Sequence, residues 1–234
     1  MNYSIMRIPA GERTLPAELI LPDHAQGLVV FAHRSQSRRL SPRNRAVAEV
    51  IRAAGMATLL LDLLTPEEAV TDAVTAELRF DIGLLAERLL TVTYWMCEQE
   101  PDLRVGYFAT STGAAASLLA AAEAPDTIGA IVSRGGRPDL AGESLSQVHT
   151  PTLLIVGALD TPVIHRSEAA YESLVCEKQL TVIPGASRSF EEPGTLDQVA
   201  RLAADWFERH LPRTPTGAPA LRFQHRQPHG TTGP

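Results

Sequence analysis

Short apolar runs of strand length recur along the chain, and amphipathic helical patterns lie between them. The runs cover residues 27–32, 57–64, 105–108, 128–133, 152–156 and 180–183. Apolar runs without polar alternation are typical of strands that are covered on both faces. Strands that alternate with helices predict an α/β fold with a mostly parallel central sheet and helices on both faces.

Sequence signals also place the helices. Ser41 followed by Pro42 is typical of a helix start. Residues 195–198 fit a capping box and predict the start of the last helix. The acidic segment 65–77 is interpreted as a surface loop with a short helix, with a mobile lid as the alternative. Apolar residues that step by three and four predict one long helix with a single buried stripe, namely Ile82, Leu85, Leu89, Val92 and Met96.

Composition narrows the class of protein. The 234 residues are 44% hydrophobic and 21% charged, which are ordinary globular values. A formal net charge of −6 argues against a general nucleic-acid binder. No apolar run approaches the roughly 20 residues of a membrane span, and no apolar leader is visible. The two cysteines cannot form a disulfide framework, so we expect a cytoplasmic protein without membrane partners.

Charge and composition also divide the chain. From Pro212 onward there are three arginines, five prolines and three glycines, but no acidic residue. We therefore expect one α/β domain over residues 1–211 and a flexible basic tail over residues 212–234.

The carboxyl ends of the predicted strands carry the candidate chemistry, because ligands of parallel sheets bind at that edge. Ser111 follows one strand and precedes a helix of small residues, which predicts a nucleophile elbow. A simple helix N-cap is the alternative. The backbone N–H groups of Thr112 and of Arg34 or Ser35 are candidates for an oxyanion hole. Asp160 follows a later strand and is the candidate acid partner, with a loop or cap acid as the alternative.

Residues 8–211 resemble the dienelactone-hydrolase-like α/β-hydrolases. The resemblance rests on segments such as SPRNRAVAEV, LLLDLLTPEE, TSTGAAA, TPTLLIVGALD and PGASRSFEEPGTL. It implies an α/β-hydrolase that acts on a small-molecule ester, lactone or related acyl compound without a metal or other cofactor. It also implies that Ser111 and Asp160 are two members of a triad in the chain order Ser…Asp…His.

The sequence departs from the family pattern at the third member. The resemblance places the catalytic histidine in a stretch similar to P-G-A-T-H, whereas residues 184–188 read P-G-A-S-R and end at Arg188. A guanidinium stays protonated and cannot accept the serine proton. Arg34 also stands where the family tends to have glycine. The sequence therefore predicts an altered triad of Ser111, Asp160 and Arg188 with impaired or non-standard catalysis.

Other charged residues offer further roles. His165 is a candidate substitute base, with a surface histidine as the alternative. Arg34, Arg137 and Arg188 are candidates for gripping an anionic group such as a carboxylate. Pairing with nearby acids is the alternative for these arginines, and Asp160 is the expected partner of Arg188. No His, Cys, Asp and Glu spacing predicts a metal site.

These observations leave three functions open. The first is a serine hydrolase with unusual support for Ser111. The second is the same scaffold used for non-hydrolytic chemistry, as an isomerase, cyclase or lyase. The third is a catalytically inactive ligand-binding protein. The oligomeric state is not predicted, and the fold alone does not choose among the three functions, because function depends on the site.

Overall fold

An eight-stranded sheet forms the centre of the protein, whose structure is a computed structural model that describes residues 2–33 and 41–212. The strands are β1 (Asn2–Ala10), β2 (Arg13–Leu21), β3 (Gly27–His33), β4 (Ala57–Asp62), β5 (Arg104–Ser111), β6 (Ile128–Gly136), β7 (Thr152–Gly157) and β8 (Lys178–Ile183). The helices are α1 (Pro42–Ala53), α2 (Pro66–Thr75), α3 (Ile82–Gln99), α4 (Thr112–Glu123), α5 (Thr161–Ser173) and α6 (Thr195–His210). Short 3-10 segments span Leu78–Phe80 and Pro138–Gln147.

The sheet has the strand order β1-β2-β4-β3-β5-β6-β7-β8. Strands β3 to β8 are parallel, whereas β1 and β2 form an antiparallel hairpin at one edge. All six predicted strands are present, so the predicted α/β class is confirmed. The hairpin was not predicted, because β1 is mostly exposed and interrupts its apolar residues with polar ones.

Helices cover both faces of the sheet, as the continuous apolar runs predict. In β3, Leu28 and Val30 join one apolar cluster, whereas Val29 and Phe31 join the other. Helices α3, α4 and α5 contribute to the first cluster, and α1 and α6 contribute to the second. Both clusters consist of buried residues that are at most 8% exposed.

Two predicted helix features, the cap of α1 and the apolar stripe of α3, are confirmed, and the predicted capping box of α6 is wrong. Ser41 Oγ accepts a hydrogen bond from the Asn44 N–H at 3.2 Å and caps α1 as predicted. The predicted stripe lies on α3, where Leu85, Leu89, Val92 and Met96 are buried. The capping box predicted for α6 is wrong: Gly194 is the N-cap with φ 76°, and Thr195 Oγ1 donates to the Glu192 carbonyl instead. The left-handed turn at Gly194 starts the helix without a side-chain cap.

A capping box does occur at α2, inside the acidic segment 65–77. Thr65 Oγ1 accepts from the Glu68 N–H at 3.2 Å, and Glu68 Oε2 accepts from the Thr65 N–H at 2.9 Å. The short helix expected in this segment is therefore a ten-residue helix with a fixed start.

Leu211 closes the core at the amino ends of the strands. Its side chain is fully buried. A Cβ at Gly27, Gly106 or Gly129 would lie only 2.8, 2.8 or 2.6 Å from Leu211 atoms, so glycine in β3, β5 and β6 makes room for it. Beyond Pro212, the predicted tail lies outside the described residues. Among the residues that the structure does describe, no helix is both long and apolar enough to cross a membrane.

Candidate active site

Ser111 occupies a strained turn between β5 and α4. Its backbone has φ 54° and ψ −134°, a conformation that costs a residue with a Cβ of order 1–3 kcal/mol. The turn is compact because a Cβ at Gly113 would come within 2.9 Å of the Ala32 carbonyl oxygen. The Ser111 carbonyl accepts a hydrogen bond from the Arg137 N–H at 2.9 Å, which ties the turn to the end of β6. This geometry lifts Ser111 Oγ above the sheet edge.

Of the three predicted oxyanion donors, the structure describes one. Thr112 is the first residue of α4, so its N–H has no acceptor within the helix. Its side chain is 2% exposed, and Oγ1 has no hydrogen-bond partner among the described residues. Arg34 and Ser35 lie outside the described residues.

Asp160 and Arg188 come together at the same sheet edge. Asp160 is the N-cap residue directly before α5, but its side chain makes no cap hydrogen bond. Its carboxylate is 12% exposed, and Oδ2 lies 3.8 Å from Arg188 Nε. The Arg188 side chain is 55% exposed. The pair is therefore an ion pair without a close hydrogen bond between these two atoms.

The turns that carry Asp160 and Arg188 are held side by side by backbone contacts. The Leu159 N–H donates to the Ala186 carbonyl at 3.0 Å, and a Cβ at Gly157 would collide with that same carbonyl oxygen. The Ser187 N–H donates to Glu192 at 3.0 Å, and this hydrogen bond lowers the pKa of the Glu192 carboxyl. The position of Arg188 is thus fixed from both ends of its turn.

Ser111 lines a cleft of about 690 Å³ whose wall is rich in arginine. Among the residues described in its wall are four arginines and no acidic residue or histidine. The lining residues are Ser41, Arg43, Asn44, Arg79, Phe80, Thr110, Ser111, Arg134, Gly135, Arg188 and Ser189. The cleft therefore presents positive charge beside a serine.

Arg134 has the most defined orientation among these arginines. Its Nη2 donates to Asn44 Oδ1 at 3.1 Å. Its guanidinium carbon lies 5.6 Å from the centre of the Phe108 ring, which is cation–π distance. One contact on α1 and one on β5 thus fix the Arg134 side chain at the end of β6.

Arg43 and Arg79, which the sequence analysis did not single out, each form an ion pair with an acidic residue that is not among the residues lining the cleft. Arg43 Nη1 donates to the Ser189 carbonyl at 3.1 Å and pairs with Glu191 at 2.9 Å, with both side chains largely exposed. Arg79 Nε pairs with the buried Asp72 at 2.8 Å. The Arg79 ion pair is thus shielded from water, whereas the Arg43 pair is open to it.

Arg137 and His165 lie outside the residues that line the cleft. Arg137 Nη2 pairs with Asp139 at 2.7 Å, and these hydrogen bonds raise the pKa of its guanidinium further. The predicted anion-binding role of Arg137 is therefore replaced by the local pairing that was its alternative. His165 is 72% exposed, and its Nδ1 lies 3.3 Å from Glu168. The structure does not bring His165 to Ser111.

Sequence reasoning missed part of the wall. Arg43 and Asn44 lie in the first turn of α1. The sequence signal that could have assigned them to the cleft was a pair of polar residues directly after the predicted helix start. Arg79 and Phe80 lie after α2, and Arg79 is placed by Asp72, seven residues earlier. No local pattern in the sequence indicates that contact.

A second cavity has no candidate nucleophile among its described lining residues. Its volume is about 250 Å³, and it is lined by residues such as Asp23, His24, Glu100 and Asp102, with no serine, threonine or cysteine among those described. Within residues 2–33 and 41–212, no group of three or more His, Cys, Asp or Glu side chains is arranged to hold a metal ion.

Comparisons with known proteins agree with this architecture. A dienelactone hydrolase from Anabaena variabilis is 53% identical, with a TM-score of 0.86 over 90% of this chain and 98% of that one. Est1E from Butyrivibrio proteoclasticus is 17% identical, with a TM-score of 0.73 over 88% of this chain and 98% of that one. A serine hydrolase without a lid from Xanthomonas campestris is 21% identical, with a TM-score of 0.67 over 92% of this chain and 98% of that one. These two distant structures share the fold alone.

Relatives from Mycobacterium tuberculosis carry a different name. Proteins of two strains, CDC 1551 / Oshkosh and ATCC 25618 / H37Rv, are named "putative phosphoribosyl transferase" and are 54% identical over 209 residues. The match covers 88% of this chain but 46% of theirs, so the chain spans about half the length of these curated relatives. No protein-family model matches the chain.

Proposed function

Because the chain belongs to the dienelactone-hydrolase-like α/β-hydrolases, we propose that it is a serine hydrolase of an ester, lactone or related acyl compound. The observation that carries the proposal is the backbone of Ser111, strained at φ 54° and placed at the N-terminus of α4 in the wall of a cleft. Strain of this kind persists where a nucleophile must be presented to a substrate.

In the proposed reaction, Ser111 Oγ attacks the acyl carbon of the substrate. The attack forms the Oγ–carbon bond and turns the carbonyl oxygen into an oxyanion. Collapse of this tetrahedral intermediate breaks the carbon–oxygen bond to the leaving group, which takes a proton from water, and water later hydrolyses the acyl-enzyme. The Thr112 N–H stabilises the oxyanion of each tetrahedral intermediate. In this proposal, Asp160 is the acid of the triad, and Arg188 takes the position of the histidine that would act as its base. Since a guanidinium cannot accept a proton, the Ser111 proton passes to water in the open cleft, and acylation is slow.

A second candidate is a scaffold that binds or rearranges its ligand without hydrolysis, as an isomerase, cyclase, lyase or binding protein. The ion pair between Arg188 and Asp160 favours it, because a guanidinium, which cannot accept the Ser111 proton, lies beside Asp160 where the resemblance implies a histidine. Phosphoribosyl transfer is not proposed, since that name describes relatives of which the chain matches about half.

Labelling with a fluorophosphonate tests the hydrolase directly. We expect mass spectrometry to find the label on Ser111, and Ser111→Ala to abolish both labelling and hydrolysis of a nitrophenyl ester. Ser146→Ala, on the exposed side of its 3-10 segment, is the matched control and should keep both activities. A protein that stays unlabelled at Ser111, or an ester hydrolysis rate that survives Ser111→Ala, would contradict the proposal and favour the second candidate.

A further inference from the structure

We infer that the substrate of Ser111 carries a phosphate monoester, which the arginines of the cleft hold while the acyl group lies at the serine. This inference rests on the proposed function and adds the chemical class of the substrate. Its starting point is the charge of the wall, where four arginines face one cleft and the described lining includes no carboxylate.

The arginines differ in how freely they can turn to a ligand. Arg79 is committed to the buried Asp72, through both its side chain and its backbone N–H. Arg188 lies 3.8 Å from Asp160, beyond hydrogen-bond distance, and is more than half exposed. Arg43 pairs with an exposed glutamate, and such pairs exchange easily for a better partner. Arg134 is held on Asn44 and Phe108, so its guanidinium plane is already oriented. We therefore assign phosphate binding to Arg43, Arg134 and Arg188.

Three guanidinium groups suit a phosphate better than a carboxylate. A carboxylate carries one negative charge and is satisfied by one bidentate arginine. A phosphate monoester carries about −1.5 to −2 charges at pH 7 and three terminal oxygens, each a strong acceptor. Three arginines around one cleft match those three oxygens, whereas a carboxylate would leave guanidinium donors without an acceptor.

The size of the cleft agrees with this assignment. Its volume of about 690 Å³ falls within the range of small-molecule sites, roughly 300–1,000 Å³, and exceeds what a phosphate needs alone. The remaining space extends to Ser111 and Thr110, where an acyl group attached to the phosphorylated portion fits.

Titration calorimetry with inorganic phosphate tests the inference without relying on catalysis. At constant ionic strength, we expect the full chain to bind phosphate at least about tenfold more tightly than acetate. Arg134→Gln should weaken phosphate binding at least about tenfold, whereas Arg201→Gln, at an exposed position of α6, should leave it unchanged. Arg188→Gln, at a largely exposed side chain, provides the same test if Arg134→Gln does not fold.

The outcomes separate this inference from the proposed hydrolase function. Equal affinities for phosphate and acetate, or equal affinities of Arg134→Gln and Arg201→Gln for phosphate, overturn the phosphate assignment. Fluorophosphonate labelling of Ser111 would then persist, so the hydrolase would stand without it. Conversely, a protein that binds phosphate more tightly than acetate but is not labelled by fluorophosphonate would contradict the hydrolase proposal and leave the phosphate site standing.

Discussion

Ser111, the proposed nucleophile, is the residue at which backbone stability and exposure of the hydroxyl conflict. Its φ of 54° is unfavourable for any side chain with a Cβ, yet a residue at the end of a strand needs this turn to point its hydroxyl into the cleft. The contacts of Gly113 with β3 and of the Ser111 carbonyl with Arg137 hold the turn in place. The rest of the fold therefore offsets the local strain.

Glycine at this position should relieve the strain. We expect Ser111→Gly to exceed Ser111→Ala in free energy of unfolding by about 1 kcal/mol, measured by urea denaturation. Ser117, in the middle of α4, is the control, because glycine there should be less stable than alanine. If glycine and alanine at position 111 give the same stability, the turn is not strained.

Arg188 is the residue whose replacement should restore a base. We expect Arg188→His to raise nitrophenyl ester hydrolysis at least about tenfold, because an imidazole beside Asp160 can accept the Ser111 proton. The gain should grow as pH rises through about 6.5, where imidazole loses its proton.

Arg188→Gln separates the gain of a base from the loss of a charge. It removes the guanidinium without supplying a proton acceptor, so its rate should stay far below that of Arg188→His. Equal rates for the two variants would show that Arg188 does not stand at the position of the base.

At the scale of the element, α2 is held in place by a buried charge. Arg88 of α3 is 7% exposed and donates to the Leu63 carbonyl at 2.8 Å. The same guanidinium donates to Glu68 at 2.6 and 2.7 Å, while Glu68 also closes the capping box with Thr65. Hydrogen bonds from Arg88 lower the pKa of the Glu68 carboxyl below its ordinary value of 4.5.

This lowered pKa sets a pH dependence of stability. The contribution of ionised Glu68 is present above about pH 4.5 and is lost as pH falls through its lower folded-state pKa. We expect Glu68→Gln to cost about 1 kcal/mol of unfolding free energy at pH 7, with the difference from wild type shrinking below pH 4. Glu172→Gln, exposed on α5, is the control. A cost for Glu68→Gln that is the same at pH 7 and pH 3 would contradict this account.

The elements differ in how far the sequence predicts them. Strands β3 to β7 are continuous apolar runs because both faces of the sheet are covered there, and each was predicted. Strand β8 was also predicted, although it lies at an edge of the sheet and is only partly buried. The β1–β2 hairpin carries exposed Tyr3 and Ile5 at the sheet edge, so no such run marks it. The last helix starts at Thr195, within the predicted residues 195–198, but its predicted capping box is wrong, because the chain enters the helix through the left-handed Gly194.

At the scale of the whole molecule, the parallel topology made part of the site predictable. Ser111 ends β5, Asp160 follows β7 and Arg188 follows β8, and the carboxyl ends of parallel strands lie at the same end of the sheet. Arg43 and Arg79 reach the cleft through the packing of α1 and of the turn after α2, which depends on tertiary contacts. Arg137 was assigned to the site by its strand, but Asp139, two residues away, pairs with it instead.

At the amino ends of the strands, opposite the cleft, the stability of the fold should depend on the buried side chain of Leu211. We expect Leu211→Ala to cost about 3 kcal/mol of unfolding free energy, because it empties a space that three glycines of the sheet create. Leu159→Ala is the matched control, since Leu159 is 66% exposed and should change stability little. Similar losses for both variants, measured by urea denaturation, would contradict a structural role for Leu211.

The position of Leu211 has a practical consequence for tethering the protein. Leu211 lies at the amino ends of β3, β5 and β6, whereas Ser111 lies at the carboxyl end of β5. A strand of eight residues spans about 26 Å, so these two points are separated by the full height of the sheet. A linker, surface anchor or fused domain joined after residue 212 therefore emerges on the far side of the molecule and leaves the mouth of the cleft open to substrate.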